Sequence, residues 1–184
     1  MSARNVSGMV MLGVGRYIEE ELDPARRDRL HSKGQMVERA NIKQDAWYPL
    51  QPFANICRSL DELYDDPQEG FQAVRRAGKC IAEDGASTYL RLLMKVLTPK
   101  LFIRQFPGLW KRYHDFGELT IDMQDIDKNR VVAIMPAYPC VYGLAAGWIE
   151  FAFAAFKAKA DLKCDYPWRG ETPDPFRFTL TWTS

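Results

Sequence analysis

Apolar residues recur at helical spacing through the first part of the chain, up to about residue 116. Near the N-terminus, Val10, Val14 and Ile18 lie about one helical turn apart. Asp23 and Pro24 interrupt this pattern, and proline is favoured at the first position of a new helix. The spacing predicts a short helical hairpin.

Residues 44–52 (QDAWYPLQP) combine prolines with aromatic residues, which predicts a turn or extended linker that buries Trp47 and Tyr48. From Phe53 onward, apolar residues at i, i+3, i+4 and i+7 predict an amphipathic helix that stops before Asp66 and Pro67.

Two further helices follow in the predicted order. Apolar residues from Phe71 to Ile81 trace the inner face of one helix. A strong apolar stripe over residues 89–97 predicts a second, central helix that ends at Thr98 and Pro99.

The period of the pattern changes to two near Gly117. Residues 118–124 alternate apolar and polar side chains, and residues 130–136 are rich in β-branched and apolar ones. Residues 125–129 (DIDKN) read as the turn between them, so a β-hairpin is predicted.

The remaining segments complete a β-β-α-β-β order. Residues 141–157 predict a helix that is apolar around nearly its whole circumference, so both of its sides must be covered. The sheet covers one side, and either other helices or a partner subunit covers the other. Residues 162–166 predict a short strand and residues 176–183 (FRFTLTWT) an alternating one.

The predicted fold class is therefore α+β in a single domain spanning residues 1–184. A helical part, about residues 1–116, packs on a four-stranded antiparallel sheet in the β-β-α-β-β part, about residues 117–184.

Composition and charge exclude several partners. The chain has 25 Lys and Arg against 24 Asp and Glu, so its net charge of +1 gives no bulk attraction to nucleic acid or anionic lipid. The longest apolar stretch, residues 141–156, is shorter than the roughly 20 residues of a membrane span. The N-terminus lacks the pattern of a secretory signal, and the four cysteines are widely separated, which favours a cytoplasmic protein with reduced thiols.

Several short motifs follow one another in a set order along the chain. They are Val6-Ser7-Gly8, Tyr48-Pro49-Leu50, Asp66-Pro67 with Gly70, Thr98-Pro99, the hairpin, and Phe178 with Trp182. With the order of elements, they resemble a ligand-binding superfamily that includes the haem nitric oxide/oxygen-binding (H-NOX) domains, the 4-vinyl-reductase-like sensor domains and the TRAPP subunits of vesicle tethering. The layout is most similar to that of an uncharacterised bacterial family. The resemblance implies a ligand-binding domain, and relatives in this superfamily are often homodimers.

The haem chemistry of H-NOX domains is not expected from these residues. The position that the resemblance gives to the haem-ligating histidine falls near Arg91 and Leu92. In the Tyr-x-Ser-x-Arg motif that holds the haem propionates, Tyr138 is kept but Cys140 and Tyr142 replace the serine and the arginine. Without an axial ligand and a guanidinium, we expect no haem cofactor in that mode.

A zinc site like that of the 4-vinyl-reductase-like domains is also not expected. Cys140 and Cys164 match two of the three cysteines, but the third position falls around residues 174–176, which contain none. A structural zinc ion needs four ligands, so we expect ordinary buried cysteines, no bound metal and no cofactor.

Residues 106–116 (FPGLWKRYHDF) are the strongest candidate for a pocket wall. The resemblance implies that this segment lies beside the ligand cavity, where aromatic side chains supply apolar surface and a few polar tips fix a ligand. The alternative is that these side chains only close the core between helices and sheet. With the segment from Tyr138 to Trp148, the predicted site comprises Phe106, Trp110, Tyr113, His114, Phe116, Tyr138, Cys140, Tyr142 and Trp148.

Two functions follow as hypotheses. The first is a non-enzymatic small-molecule-binding or sensory domain with an enclosed apolar cavity of roughly 300 Å³ or more. The second is a protein-interaction or dimerisation module of TRAPP-like fold, with a filled core and a large exposed apolar patch. An enzyme is disfavoured because the sequence has no nucleophile motif, and the adjacent His114 and Asp115 are not expected to face each other.

Overall fold

The computed structural model describes residues 4–86, 98–169 and 173–183. The α-helices are α1 (Gly8–Arg16), α2 (Pro24–Ser32), α3 (Leu50–Asp61), α4 (Pro67–Gly85), α5 (Pro99–Tyr113) and α6 (Val141–Ala155). The strands are β1 (Asn5–Ser7), β2 (Trp47–Pro49), β3 (Thr120–Asp122), β4 (Arg130–Met135), β5 (Lys159–Lys163) and β6 (Phe176–Thr183). A π-helical turn, Tyr17–Glu21, continues α1.

Side-chain caps begin several of the helices. The Asp23 carboxylate accepts a hydrogen bond from the backbone N–H of Arg26 at 3.0 Å, with Pro24 in the first turn. Thr98 caps α5 in the same way, with 3.3 Å between its hydroxyl and the N–H of Leu101. These caps satisfy backbone donors that have no partner within the helix. The cap at Asp23 confirms the helix start predicted there. The sequence pattern predicts Thr98 only as the end of the preceding helix, and helix α5, which begins after it, is not predicted from the sequence.

Helix α6 is covered within the chain. It crosses α4 so closely that Gly78 and Gly147 meet the opposite backbone directly. Its other side packs on β6, where the Phe153 and Trp182 rings lie 5.9 Å apart. The sheet covers one side as predicted, and of the two covers left open for the other side, helices or a partner subunit, helix α4 provides one.

The sheet has the strand order β3-β4-β6-β5, and every pairing is antiparallel. Along β6, buried residues that face inward alternate with residues of greater exposure. The buried residues are Phe176, Phe178, Leu180 and Trp182. The predicted hairpin, the predicted last strand and the α+β fold class are confirmed.

Two local predictions are wrong. The strand before the last one is Lys159–Lys163 and not residues 162–166, because Lys157 adopts a left-handed conformation with φ of 55° and turns the chain directly after α6. Trp47 is 47% exposed, because a two-stranded ribbon of β1 and β2 leaves one of its faces in solvent. The central helix predicted over residues 89–97 lies outside the described residues, as do Arg91 and Leu92.

Within the described ranges, none of the helices combines the length and the apolar character needed to cross a membrane.

Candidate ligand-binding cavity

An apolar cavity of about 50 Å³ lies where α1, α4, α5 and α6 meet the sheet. Its lining is almost entirely aromatic and aliphatic. The described lining residues are Val10, Ile81, Phe106, Leu109, Trp110, Tyr113, His114, Leu119, Met135, Tyr138, Val141, Leu144, Ala145 and Trp148. None of these residues is an Asp, Glu, Lys or Arg.

Helix α5 forms one wall of the cavity. Phe106, Trp110 and Tyr113 recur at helical spacing and are buried on its inner face. Earlier in the helix, the Phe102 ring packs against the rings of Phe153 and Phe156 at 6.3 and 5.5 Å. This aromatic contact fixes the first half of α5 against α6.

His114 is the central polar group of the cavity wall. Its ring stacks on Trp110, with ring centroids 3.7 Å apart and planes 5° from parallel. Its Nδ1 lies 3.3 Å from the Trp110 carbonyl oxygen, and its Nε2 lies 3.1 Å from the Tyr138 hydroxyl. Since a carbonyl only accepts, Nδ1 carries the proton, and Nε2 accepts a hydrogen bond from Tyr138.

The environment keeps His114 neutral. Desolvation lowers its pKa from 6.5 to about 3, which outweighs the opposing effects of the Trp110 carbonyl and the Asp115 carboxylate. Asp115 itself turns away and accepts hydrogen bonds from the backbone and side-chain nitrogens of Asn5, both at 2.6 Å. The expectation that these two neighbours do not face each other is confirmed.

Two further polar groups of the wall have partners within the protein. The indole Nε1 of Trp110 donates to the Phe116 carbonyl at 3.1 Å. The Tyr113 hydroxyl donates to the Gly85 carbonyl at 3.3 Å. Because these donors and His114 are already satisfied, the described wall favours a guest that is neutral and apolar.

The structure brings together six of the nine residues predicted for the site. Phe106, Trp110, Tyr113, His114, Tyr138 and Trp148 line the cavity. Phe116 lies outside the lining, where its ring packs on Trp110, His114 and Tyr138. Tyr142 lies on another face of α6 and donates its hydroxyl proton to the Leu162 carbonyl at 3.1 Å. Cys140 also lies outside the lining.

Cys140 borders a separate surface groove of about 560 Å³. Burial raises the pKa of its thiol to about 12, so the group is protonated at neutral pH and is a poor nucleophile or metal ligand. Asp174, beside the third position of the zinc motif, pairs with Arg4 at 3.5 Å and accepts from the Ala137 N–H at 3.0 Å. The described residues contain no group of three or more His, Cys, Asp or Glu side chains suited to a metal ion.

Sequence reasoning missed the aliphatic part of the wall. Val10 and Ile81 come from helices α1 and α4, and Leu144 and Ala145 come from α6. Their periodicity predicts buried positions, but periodicity alone cannot distinguish a residue that borders an empty space from one that is fully packed.

The cavity is much smaller than the roughly 300 Å³ expected for a drug-sized ligand, so that expectation is wrong for the described conformation. A haem group does not fit this space. Trp110 covers one face of the His114 ring, and both ring nitrogens already have hydrogen-bond partners. The described wall therefore offers neither room for a porphyrin nor a free imidazole nitrogen.

The architecture of helices packed on this four-stranded antiparallel sheet is the fold of the H-NOX proteins. Solved structures of that class match 95–97% of the chain at 11–16% sequence identity, which shows a shared fold. No family model matches the sequence, and no curated protein matches it either.

Three of these structures show the extent of the likeness. The Fe(II) unliganded H-NOX protein from K. algicida has a TM-score of 0.73 and 11% identity, covering 97% of both chains. The Fe(II)NO H-NOX protein from S. oneidensis has a TM-score of 0.70 and 14% identity, covering 97% of this chain and 99% of its own. The IWP-051-bound, Fe(II)CO H-NOX protein from Shewanella woodyi has a TM-score of 0.64 and 16% identity, covering 95% of this chain and 93% of its own.

Proposed function

We propose that this chain is a non-enzymatic small-molecule-binding or sensory domain that takes a neutral, apolar guest in the cavity between α5 and α6. The observation that carries the proposal is the cavity itself, with its apolar lining and its internally satisfied polar groups. The likeness of its fold to that of haem-based ligand-binding proteins supports the same assignment.

We also propose that this domain works without haem bound in the manner of those proteins. The small cavity and the hydrogen bonds on both ring nitrogens of His114 support this. A single water molecule needs a cavity volume of about 10–15 Å³. The cavity of about 50 Å³ therefore has room for a guest of only a few atoms.

Xenon, a neutral apolar atom known to enter dry protein cavities, is the probe that tests the proposal. Met135 lines the cavity, whereas Met36 is 49% exposed on the surface. In protein with isotope-labelled methionine methyl groups, we expect xenon pressure to shift the Met135 resonance saturably and to leave Met36 nearly unchanged.

A matched pair of variants controls for surface binding. Ala145→Leu fills the cavity from α6, whereas Ala154→Leu makes the same change at an exposed position of the same helix. The first variant should abolish the saturable shift and the second should keep it. Equal shifts in both variants, or none in the unchanged protein, contradict the proposal.

Addition of haemin to the purified protein tests the haem-free part of the proposal. We expect no absorption spectrum of a ligated haem, and such a spectrum contradicts this part.

The second candidate is a protein-interaction or dimerisation module of TRAPP-like fold, and the nearly filled interior is the observation that favours it. The covering of α6 by α4 and the sheet removes the reason for which the sequence favoured a dimer. The homodimer remains a prediction, and sedimentation equilibrium tests it directly: a concentration-dependent dimer supports this candidate.

A further inference from the structure

Helix α5 contains a proline in its interior, Pro107, followed directly by Gly108. Proline has no backbone N–H, so the Ile103 carbonyl loses its usual donor four residues later, and the ring crowds that carbonyl. The α-helix is therefore weakened one residue after Phe106, in the middle of the cavity wall.

Packing does not require the glycine at position 108. A Cβ atom built on Gly108 meets no other atom within 4 Å, and its backbone is not in the left-handed region. Glycine in a helix interior is about 1 kcal/mol less favourable than alanine. Gly108 thus adds backbone freedom next to Pro107, and no close packing contact accounts for a glycine at this position.

The two halves of α5 are held differently. Before the Pro107-Gly108 pair, Phe102 and Ile103 are buried, and Phe102 is fixed by the aromatic rings of α6. After the pair, Leu109 and Trp110 line the cavity.

This second half is tied to α6 through the Tyr113 and Trp148 rings at 5.4 Å and to α4 through the Tyr113 hydroxyl and the Gly85 carbonyl at 3.3 Å. A bend at the pair moves the second half of the wall by loosening these two contacts and leaves the first half in place.

The size of the cavity gives this bend a role. The resting space is about 50 Å³, whereas a cavity that binds benzene measures about 150 Å³. A guest of that size needs one wall to retreat. Of the helices that line the cavity in the described residues, α5 is the one with an interior proline.

We propose that α5 pivots at Pro107 and Gly108, and that this pivot admits neutral apolar guests larger than the resting cavity. The inference rests on the proposed ligand-binding function and extends it to the size of the guest and the way in which the site opens.

Residues directly after α5 connect the moving half to the N-terminal strand. His114 forms a β-bridge with Val6, and the Asp115 carboxylate accepts hydrogen bonds from the backbone and side-chain nitrogens of Asn5. Opening of the cavity is therefore transmitted to β1.

The test compares two guests of different size in two proteins. The double variant Pro107→Ala, Gly108→Ala restores a continuous helix, and Gln105→Ala, an exposed change in the first half of α5, is the matched control. Xenon and benzene are titrated separately, and the Met135 methyl resonance reports binding. Single Gly108→Ala, at a position with open space, provides a second variant if the double variant does not fold.

We expect the unchanged protein and Gln105→Ala to bind both guests. The double variant should keep its xenon affinity within about twofold and lose about tenfold or more of its benzene affinity. Benzene affinity equal to that of the unchanged protein overturns the pivot, and so does an equal loss for both guests. Failure of both guests to bind the unchanged protein overturns the ligand-binding function itself, and the pivot with it.

Discussion

His114 shows how a single residue combines packing, hydrogen bonding and charge. Burial of the ring beside Trp110 and Tyr138 favours the neutral imidazole, because protonation would place a charge in an apolar wall. The folded protein therefore resists protonation of a group that the unfolded chain protonates readily.

This difference makes a prediction for stability. Between pH 6.5 and about 3 the unfolded chain binds a proton at His114 that the folded chain does not, so the free energy of unfolding falls as the pH falls through this window. The slope from this group is at most about 1.4 kcal/mol per pH unit. His114→Gln, which does not titrate, should flatten the slope measured by urea unfolding.

Exposed His31 provides the control for this prediction, since His31→Gln should keep the slope of the unchanged protein. Carboxylates also titrate in this window, so the informative quantity is the difference between variant and unchanged protein. Parallel curves for His114→Gln and the unchanged protein contradict the account of His114.

The sequence could predict part of the site at this scale. The aromatic content of residues 106–116 predicts Phe106, Trp110 and Tyr113 as parts of a pocket wall, and the structure buries them on one face of α5. It could not predict the bond between His114 and Tyr138, which lie 24 residues apart and meet only through tertiary packing. The raised pKa of Cys140 likewise depends on a burial that no local pattern reveals.

At the scale of elements, the crossing of α4 and α6 depends on glycines. A Cβ atom on Gly147 would lie 2.0 Å from the Arg75 carbonyl oxygen and 2.5 Å from the Lys79 nitrogen. Backbone atoms of a packed helix cannot yield by such amounts without separation of the two helices.

Two glycine substitutions therefore have opposite expected effects. Gly147→Ala should lower the free energy of unfolding by about 1–3 kcal/mol or more, because it overpacks the crossing. Gly108→Ala should raise it by up to about 1 kcal/mol, because alanine favours the helix and the position is open. Urea denaturation of both variants tests the pair, and a Gly147→Ala protein as stable as the unchanged one contradicts the described crossing.

Elements with a long regular pattern were predictable, and short or long-range features were not. The alternation of β6 fixes both its position and its buried face. The three-residue strands β1 and β2 are too short to show a period. Asp61 accepts hydrogen bonds from Trp168 at 2.8 Å and Arg169 at 2.9 Å, and this contact between residues more than 100 positions apart leaves no sequence signal.

At the scale of the whole molecule, the fold agrees with that of proteins only 11–16% identical in sequence. Such agreement is possible because a fold requires a pattern of buried and exposed positions more than particular residues. The chemistry of a site does depend on particular residues, and here the described wall beside His114 is neutral and apolar. A shared fold therefore does not by itself assign a ligand to this chain.

A crystal structure of this protein under xenon pressure tests the central claim most directly. The account predicts a xenon atom in the cavity between Trp110 of α5 and Leu144 of α6, with its nearest neighbours drawn from the apolar lining. A crystal in which this cavity stays empty of xenon, or in which side chains fill it completely, would contradict the claim that this domain binds small apolar molecules there.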